Sequence, residues 1–486
     1  MEKEDKKDET ANVVYTIEEA ESAWREDLDI MEYFKIINKT QFEKSHFDAL
    51  AQLSISNEQH KVLFGSVGLR KLLSLIDHPP IQNFINARLI PRFLELSSSD
   101  SFPRLQFEAL WWLTNVASGK ASHVQELVDR GAIPVLINLL GSQHRNIVEQ
   151  SIWTLGNIAG ESSKFKNFIL KEKAIKSLGE IFKDSDKNSM MARNLAWCIT
   201  NLLRGKPIPS LEDIYYLLPI YWKGLKIHSK KEIVADLLWG ISYMSDSGEK
   251  VALKLLELSV LESIIEAMKS NCSNIVLPAV RTLGNFVTWD DNETQAIIEA
   301  GILPVLWGLL DNTDAAIRKE SWWTLSNIWA GTVSQVTAII EVGILDKLIS
   351  LAVEDWFEIQ REAGWCISNT TALKNSEIIE YVVRKQGLQA MLNVLNNKVD
   401  VKTAIVLLEG VKNVLEVGKS SFIDDKGINP FCAIIENSDG LDIIEGFQSH
   451  LNQHVYEIAV EIIEKYFNVD EVDLSQEPME TIRLEF

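Results

Sequence analysis

Apolar residues recur along most of the chain at helical intervals of three and four, and no alternating run is long enough to compete as a strand. In EQSIWTLGNIAG, residues 149–160, Ile152, Leu155, Ile158 and Ala159 make one apolar stripe. Glu149, Trp153, Gly156 and Asn157 make a second stripe beside it, at i, i+4, i+7 and i+8. The pattern predicts an amphipathic helix whose first stripe packs into a core and whose second needs another explanation.

The same helix returns. WLTN ends at Asn115, TLGN at Asn157, CITN at Asn201, TLGN at Asn285, TLSN at Asn327 and CISN at Asn369, at intervals of 42, 44, 84, 42 and 42 residues. WGISY places Trp239 and Tyr243 at the register inside the double interval, and LEGVKN continues the series at Asn413. A second marker runs in phase: GAIPVLINLL from Gly131, GILPVLWGLL from Gly301, GILDKLISL from Gly343 and GLQAMLNVL from Gly387 each start a Leu/Ile-rich helix after a glycine break. Units of one short and two longer helices follow. One such unit cannot bury its apolar stripe alone, so neighbours must stack into an all-α solenoid.

A lone helical Trp is ordinarily a packing residue, but Asn is a poor helix former and gains nothing from an apolar core. Asparagines at one register, mostly with Trp four residues earlier, point to a ligand groove. A carboxamide can pair with the C=O and N–H of an extended peptide whatever its side chains are. Parallel indoles would accept the stems of Lys or Arg, with cation–π attraction of about 0.5–2 kcal/mol each. Carboxylates such as Glu161, Asp246, Glu320 and Glu362 would take the charged heads. The full pair appears at Trp111/Asn115, Trp153/Asn157 and Trp197/Asn201, then at Trp323/Asn327 and Trp365/Asn369. Between them Tyr243 stands where an Asn would, and Arg281 where a Trp would. Two basic-peptide sites on the order of 30 Å apart are expected, three repeats at about 10 Å each.

Charge narrows the ligand. With 48 Lys and Arg against 69 Asp and Glu, the chain carries −21, which disfavours direct contact with nucleic acid or an anionic membrane. Cys198, Cys272, Cys366 and Cys432 are widely spaced and read as reduced, buried residues of an intracellular protein, with no zinc site. No signal peptide and no membrane-spanning run is seen, so a location in cytoplasm and nucleus is expected. There is no GxSxG, GxGxxG or Walker-type loop, and neither enzyme activity nor a cofactor is expected. His450 and His454, four apart on an expected helix, lack a third metal ligand, and Asp290 and Asp291 read as a polar turn. Trp112, Trp322 and Trp329 fall off the ladder register and read as packing residues.

LQFEALWWLTNVASG, EQSIWTLGNIAG, RNLAWCITNLLRGK, IRKESWWTLSNIWAG and GLDIIEGFQSHLNQHVYEIAVEIIEKYF resemble the importin-α (karyopherin-α) family over about residues 67 to 467. The resemblance implies a right-handed superhelical solenoid of about ten armadillo repeats that binds mono- and bipartite basic nuclear localisation signals for import. It implies a major site of Trp111, Asn115, Ser118, Gly119, Trp153, Asn157, Glu161, Asn194, Trp197 and Asn201, with Asp246 nearby. It implies a minor site of Trp239, Tyr243, Arg281, Asn285, Thr294, Glu320, Trp323, Asn327, Glu362, Trp365 and Asn369. A nuclear export receptor would contact residues 431 to 467.

Three positions depart from the family: Val124 and Glu161 stand for its Thr and Asp at the deepest lysine pocket, and Trp289 stands for a small Gly in NFVTWDD. The largest departure is at the start. The family carries there a basic segment that binds importin-β and folds back as an autoinhibitor, whereas residues 1–30 hold 11 acidic and 4 basic residues, a balance of −7. Such a segment cannot imitate a basic signal, so the groove is expected not to be self-blocked and the importin-β contact to be absent or made by another route. Without that coupling the alternative is a non-transport scaffold or a protein that sequesters cargo. Residues 1–30 and 468–486 are expected to be disordered, and 31–66 to cap the first repeat.

Overall fold

A computed structural model describes residues 14–25, 27–75, 79–354 and 356–467. Those residues form thirty α-helices and one short 3-10 turn, and their only β pairing is an isolated bridge between Tyr15 and Thr40. The chain divides into two compact units, 1–260 and 261–486.

In the first unit the last helix of each repeat is Gln59–Leu75, Pro103–Ala117, Arg145–Glu161, Met190–Leu203 and Lys231–Ser245, each packed on the next. In the second unit the corresponding series is Ser273–Phe286, Ala315–Trp329, Phe357–Ala372, Val401–Ser421 and Gln453–Tyr466. A second layer packs on these helices, for example Ala174–Lys183 on Met190–Leu203 and Leu211–Ile227 on Lys231–Ser245. The core between layers is aliphatic, and Trp112, Trp322 and Trp329 lie wholly inside it. Cys198, Cys366 and Cys432 are buried, and Cys272 is half-buried, less covered than expected.

The glycine breaks are left-handed turns: Gly131, Gly301 and Gly343 have φ of +81, +84 and +81°. GLQAMLNVL differs. There Gln386 takes the left-handed conformation, at φ +68°, and Gly387 is the first residue of the helix. A side chain on Gly387 would meet Val382, which is why a glycine stands there.

The start of the chain also departs from expectation. Within the acidic segment read as disordered, Ile17–Ser22 forms a helix capped by Thr16 and Glu19, and Asp29 caps Ile30–Asn38. Trp24 stacks on His60 at 4.5 Å and tilts against Tyr33 at 5.1 Å. Aromatic burial outweighs local acidity at those positions. Residues 1–13 and the tail 468–486 lie outside the described residues. His450 is not on a helix as expected, because Asn452 caps a helix that begins at Gln453; the His450 Nδ1 accepts the Asn452 N–H. Asp290 is likewise a cap, and the Asn292 backbone N–H holds its carboxyl below the usual range.

Candidate functional site

Four ladder helices position the candidate pairs of the first unit. Along each, the i, i+4 spacing of Trp and Asn leaves that pair half-exposed while the neighbouring stripe is buried: Trp111 and Asn115, Trp153 and Asn157, Trp197 and Asn201, then Trp239 and Tyr243. Trp153 is the most open, at 44% exposure. Trp239 and Tyr243 were expected in the minor site; the structure places them in the first unit, stacked on each other at 5.6 Å.

TLGN has a steric reason that sequence reasoning did not supply. A side chain on Gly156 would overlap the Trp197 ring, and one on Gly284 would overlap the Trp323 ring. The glycine before the asparagine therefore lets the indole of the next repeat lie against the helix backbone.

The asparagines also join neighbouring helices. Asn157 Nδ2 donates to the Thr114 carbonyl at 3.3 Å, Asn201 to the Gly156 carbonyl at 3.2 Å, and Asn369 to the Ser326 carbonyl at 3.2 Å. Asn115 donates to Ser74 Oγ at 3.0 Å. Each amide commits one N–H to the preceding repeat, leaving its second N–H and its oxygen. Asn327 differs: its Nδ2 is buried without a partner.

The second unit brings Trp323, Asn327, Glu362, Trp365 and Asn369 around one cavity of about 480 Å³, with Arg361 and Lys402 in its wall. Arg281 lies 4.7 Å from the Trp323 ring and bonds both oxygens of Glu320 at 2.9 and 3.1 Å. Lys402 lies 4.8 Å from the Trp365 ring, whose Nε1 donates to Thr403, and Arg361 contacts Glu362 at 3.1 Å. Two expected members are closed off: Asn285 and Thr294 are each 3% exposed. The Thr294 hydroxyl donates inward to the Asp290 carbonyl, at the cap of its own helix. Trp289 is exposed beside them in sequence.

Three residues before most of the ladder indoles stands a polar position, of which the sequence reading used Asn194, Glu320 and Glu362 but not Glu108 or Asp236. It is Glu108, Asn194, Asp236, Glu320 or Glu362 in the relevant repeats. Glu108 is wholly buried and bonded to Arg70 and Arg104, both at 2.8 Å, while Arg70 covers Trp111 at 4.2 Å. Glu320 and Glu362 hold Arg281 and Arg361. Asp236 has no ion pair among the described residues, and burial pushes its carboxyl up to about 6 against the opposing field of Arg193. Nearby, Asn194 donates to Glu149 at 3.3 Å, and burial raises the Glu149 carboxyl. The regular three-residue offset from Trp was the signal that could have found Asp236. Asp246, named instead, caps the exposed end of that helix.

At the other end of the first cluster, Ser118 is exposed with its hydroxyl on the Asn115 carbonyl. Gly119 abuts the His123 ring, Val124 is fully buried, and Glu161 is exposed at its helix end. Among the described residues no group of His, Cys, Asp and Glu could hold a metal ion.

This architecture is that of an armadillo-repeat protein. A model of the Armadillo/beta-catenin-like repeat matches residues 121–160 and 290–328, and one of the atypical Arm repeat matches 429–481. A crystal structure of an engineered protein shares the fold, with a TM-score of 0.74 at 20% identity over 86% of this chain and 98% of that one. Among curated relatives, importin subunit alpha-1b of Oryza sativa subsp. japonica is 36% identical over 87% of this chain and 79% of its own length. Importin subunit alpha-1a of the same plant and importin subunit alpha-4 of Arabidopsis thaliana are each 38% identical over 86% of this chain, and 79% and 77% of their own lengths. The chain belongs to the importin-α family. Its general kind is therefore a nuclear-import adaptor rather than an enzyme.

Proposed function

We propose that this protein binds basic nuclear localisation signals as extended peptides along its ladder, chiefly in the first unit. The carrying observation is the set of half-exposed indoles Trp153, Trp197 and Trp239 with none of the chain's described cations over them, beside asparagines that each keep one N–H and the oxygen. Lysine or arginine stems enter between the indoles, the amides hold the peptide main chain, and Asp236, Glu149 and Glu161 take the charged heads. The second cluster, around Trp323 and Trp365, takes the other basic group of a bipartite signal, and joining the two raises affinity through effective concentration. Val124 and Glu161 reshape the deepest slot by losing a hydroxyl and lengthening a carboxylate arm.

The test is titration of a labelled bipartite basic peptide against wild type and Asn157→Ala/Asn201→Ala. Loss of main-chain hydrogen bonds in a partly desolvated site weakens binding by about 1–3 kcal/mol for the pair; equal affinities refute the groove assignment. A second reading, cargo sequestration without importin-β, is favoured by the acidic start of the chain and by the packing of Trp24 on His60, which ties residues near 24 to the first repeat. Association of the purified chain with importin-β and with the export receptor separates the two readings.

A further inference from the structure

Away from the ladder, the first unit has a cleft of about 350 Å³ between the Ala174–Lys183 and Leu211–Ile227 helices. Those helices pack on the buried stripes of Met190–Leu203 and Lys231–Ser245, and no ladder helix lines the cleft. Its floor is apolar, with Phe182, Tyr216 and Ile220. Its rim follows one face of Leu211–Ile227 at every fourth residue: Tyr215, Pro219, Lys223 and Ile227. Tyr215 and Ile227 are exposed there, two large apolar groups on one opening.

Apart from the Glu180 carboxylate, the polar groups in the wall are chiefly donors. Glu180 is already held by the Tyr216 hydroxyl at 2.6 Å and by Lys183 at 3.2 Å. Lys223 has no ion pair among the described residues. His228 Nδ1 accepts the Asn188 N–H at 3.1 Å, so the neutral ring carries its proton on Nε2. Burial, with Lys187 nearby, lowers the pKa of His228 and favours that neutral ring. Lys226 follows on the same helix, over Trp222 at 4.1 Å. The lining holds two lysines, Lys183 and Lys223, against one carboxylate, Glu180, with Asp184 close to Tyr216; on a chain of net charge −21 this lysine-bearing apolar cleft contrasts with the acidic, cation-seeking ladder.

We infer that this cleft docks an acidic segment of a partner protein, which inserts one aromatic or branched aliphatic side chain onto Phe182 and Ile220 and sets flanking carboxylates against Lys183 and Lys223. The site is separate from the ladder, so basic-signal binding and this docking are independent in failure.

The experiment uses the full chain and three fluorescein-labelled synthetic peptides: an Asp/Glu-flanked Phe, the same with Leu, and a Lys/Arg-flanked Phe. Saturable binding is expected for the acidic peptides, weakened at least tenfold by Lys183→Glu/Lys223→Glu and by Ile227→Asp, and unchanged by Asn157→Ala/Asn201→Ala. Unaltered thermal melting and unaltered basic-peptide binding show that the variants are folded. If a variant fails that check, Tyr215→Ala on the exposed rim takes its place. No saturable binding of either acidic peptide, or binding indifferent to every folded rim variant, overturns the inference. Tighter binding of a synthetic peptide of residues 468–486 overturns it as well, by making the occupant this chain's own acidic tail.

Discussion

The two ladder regions share a register but differ in who occupies it. In the second unit Arg281 lies over Trp323 and Lys402 over Trp365, while Glu320 and Glu362 already hold arginines. In the first unit Arg70 lies over Trp111 and Glu108 is paired, but Trp153, Trp197 and Trp239 carry no such cover among the described residues, and Asp236 stands unpaired at the register where Glu320 and Glu362 are paired. A cationic ligand meets open faces in one region and must share or displace the chain's own cations in the other. The self-covered region shows what the open one is built to hold, because intramolecular Arg and Lys take the places proposed for the signal's side chains.

The largest effect that would sharpen this contrast is on ligand binding. Trp153→Ala/Trp197→Ala is expected to weaken a short basic peptide by about 1–4 kcal/mol, from two cation–π slots. Trp323→Ala/Trp365→Ala is expected to change it by less than about threefold. Both are read by fluorescence anisotropy, and equal losses would break the comparison. Next, Gly156→Val should destabilise the first unit by about 1–3 kcal/mol in denaturant unfolding, because its side chain overlaps the Trp197 ring.

Asp236→Asn tests the unpaired carboxylate through pH. A carboxyl raised to about 6 by burial favours its protonated form in the folded chain, so its contribution to stability falls as pH rises from about 4 to 6. The variant should therefore be more stable than wild type at pH 7.5, by about 1 kcal/mol once screening is allowed for, with the difference gone below pH 4. Over the same interval wild type should gain affinity for the basic peptide as Asp236 ionises, and the variant should not. The smallest effect is expected from Arg281→Ala/Lys402→Ala. Uncovering Trp323 and Trp365 should tighten a two-cluster peptide by about 0.5–1 kcal/mol, seen in the same titration.

Much of the fold was legible because periodicity reports packing directly: the 42-residue step, the aliphatic stripe and the glycine breaks each have a local cause. The positions of Trp153, Asn157, Trp197 and Asn201 were legible for the same reason. What escaped depends on the neighbouring repeat. The sequence showed Gly156 and Trp197 but not that one makes room for the other, and it could not show that Asn157 also bonds the Thr114 carbonyl. Asn285 ends a ladder motif and Thr294 was implied by the family resemblance, yet both are closed off, and a motif carries no information on cover. Asp246 was named as a rim carboxylate, whereas Asp236, three residues before Trp239 and buried, was not, because burial depends on the neighbouring helices. For residues 14–25, net charge suggested disorder, but the contacts of Trp24 with Tyr33 and His60 bury enough aromatic surface to order that stretch.

The most direct measurement is a crystal structure of the full chain with a lysine-rich peptide. The account predicts an extended peptide over the first unit, its main chain on Asn157 and Asn201, lysine stems beside Trp153 and Trp197, and an ammonium at Asp236. A peptide bound only at Trp323 and Trp365, or lying on the first unit without main-chain contact to those amides, would contradict it.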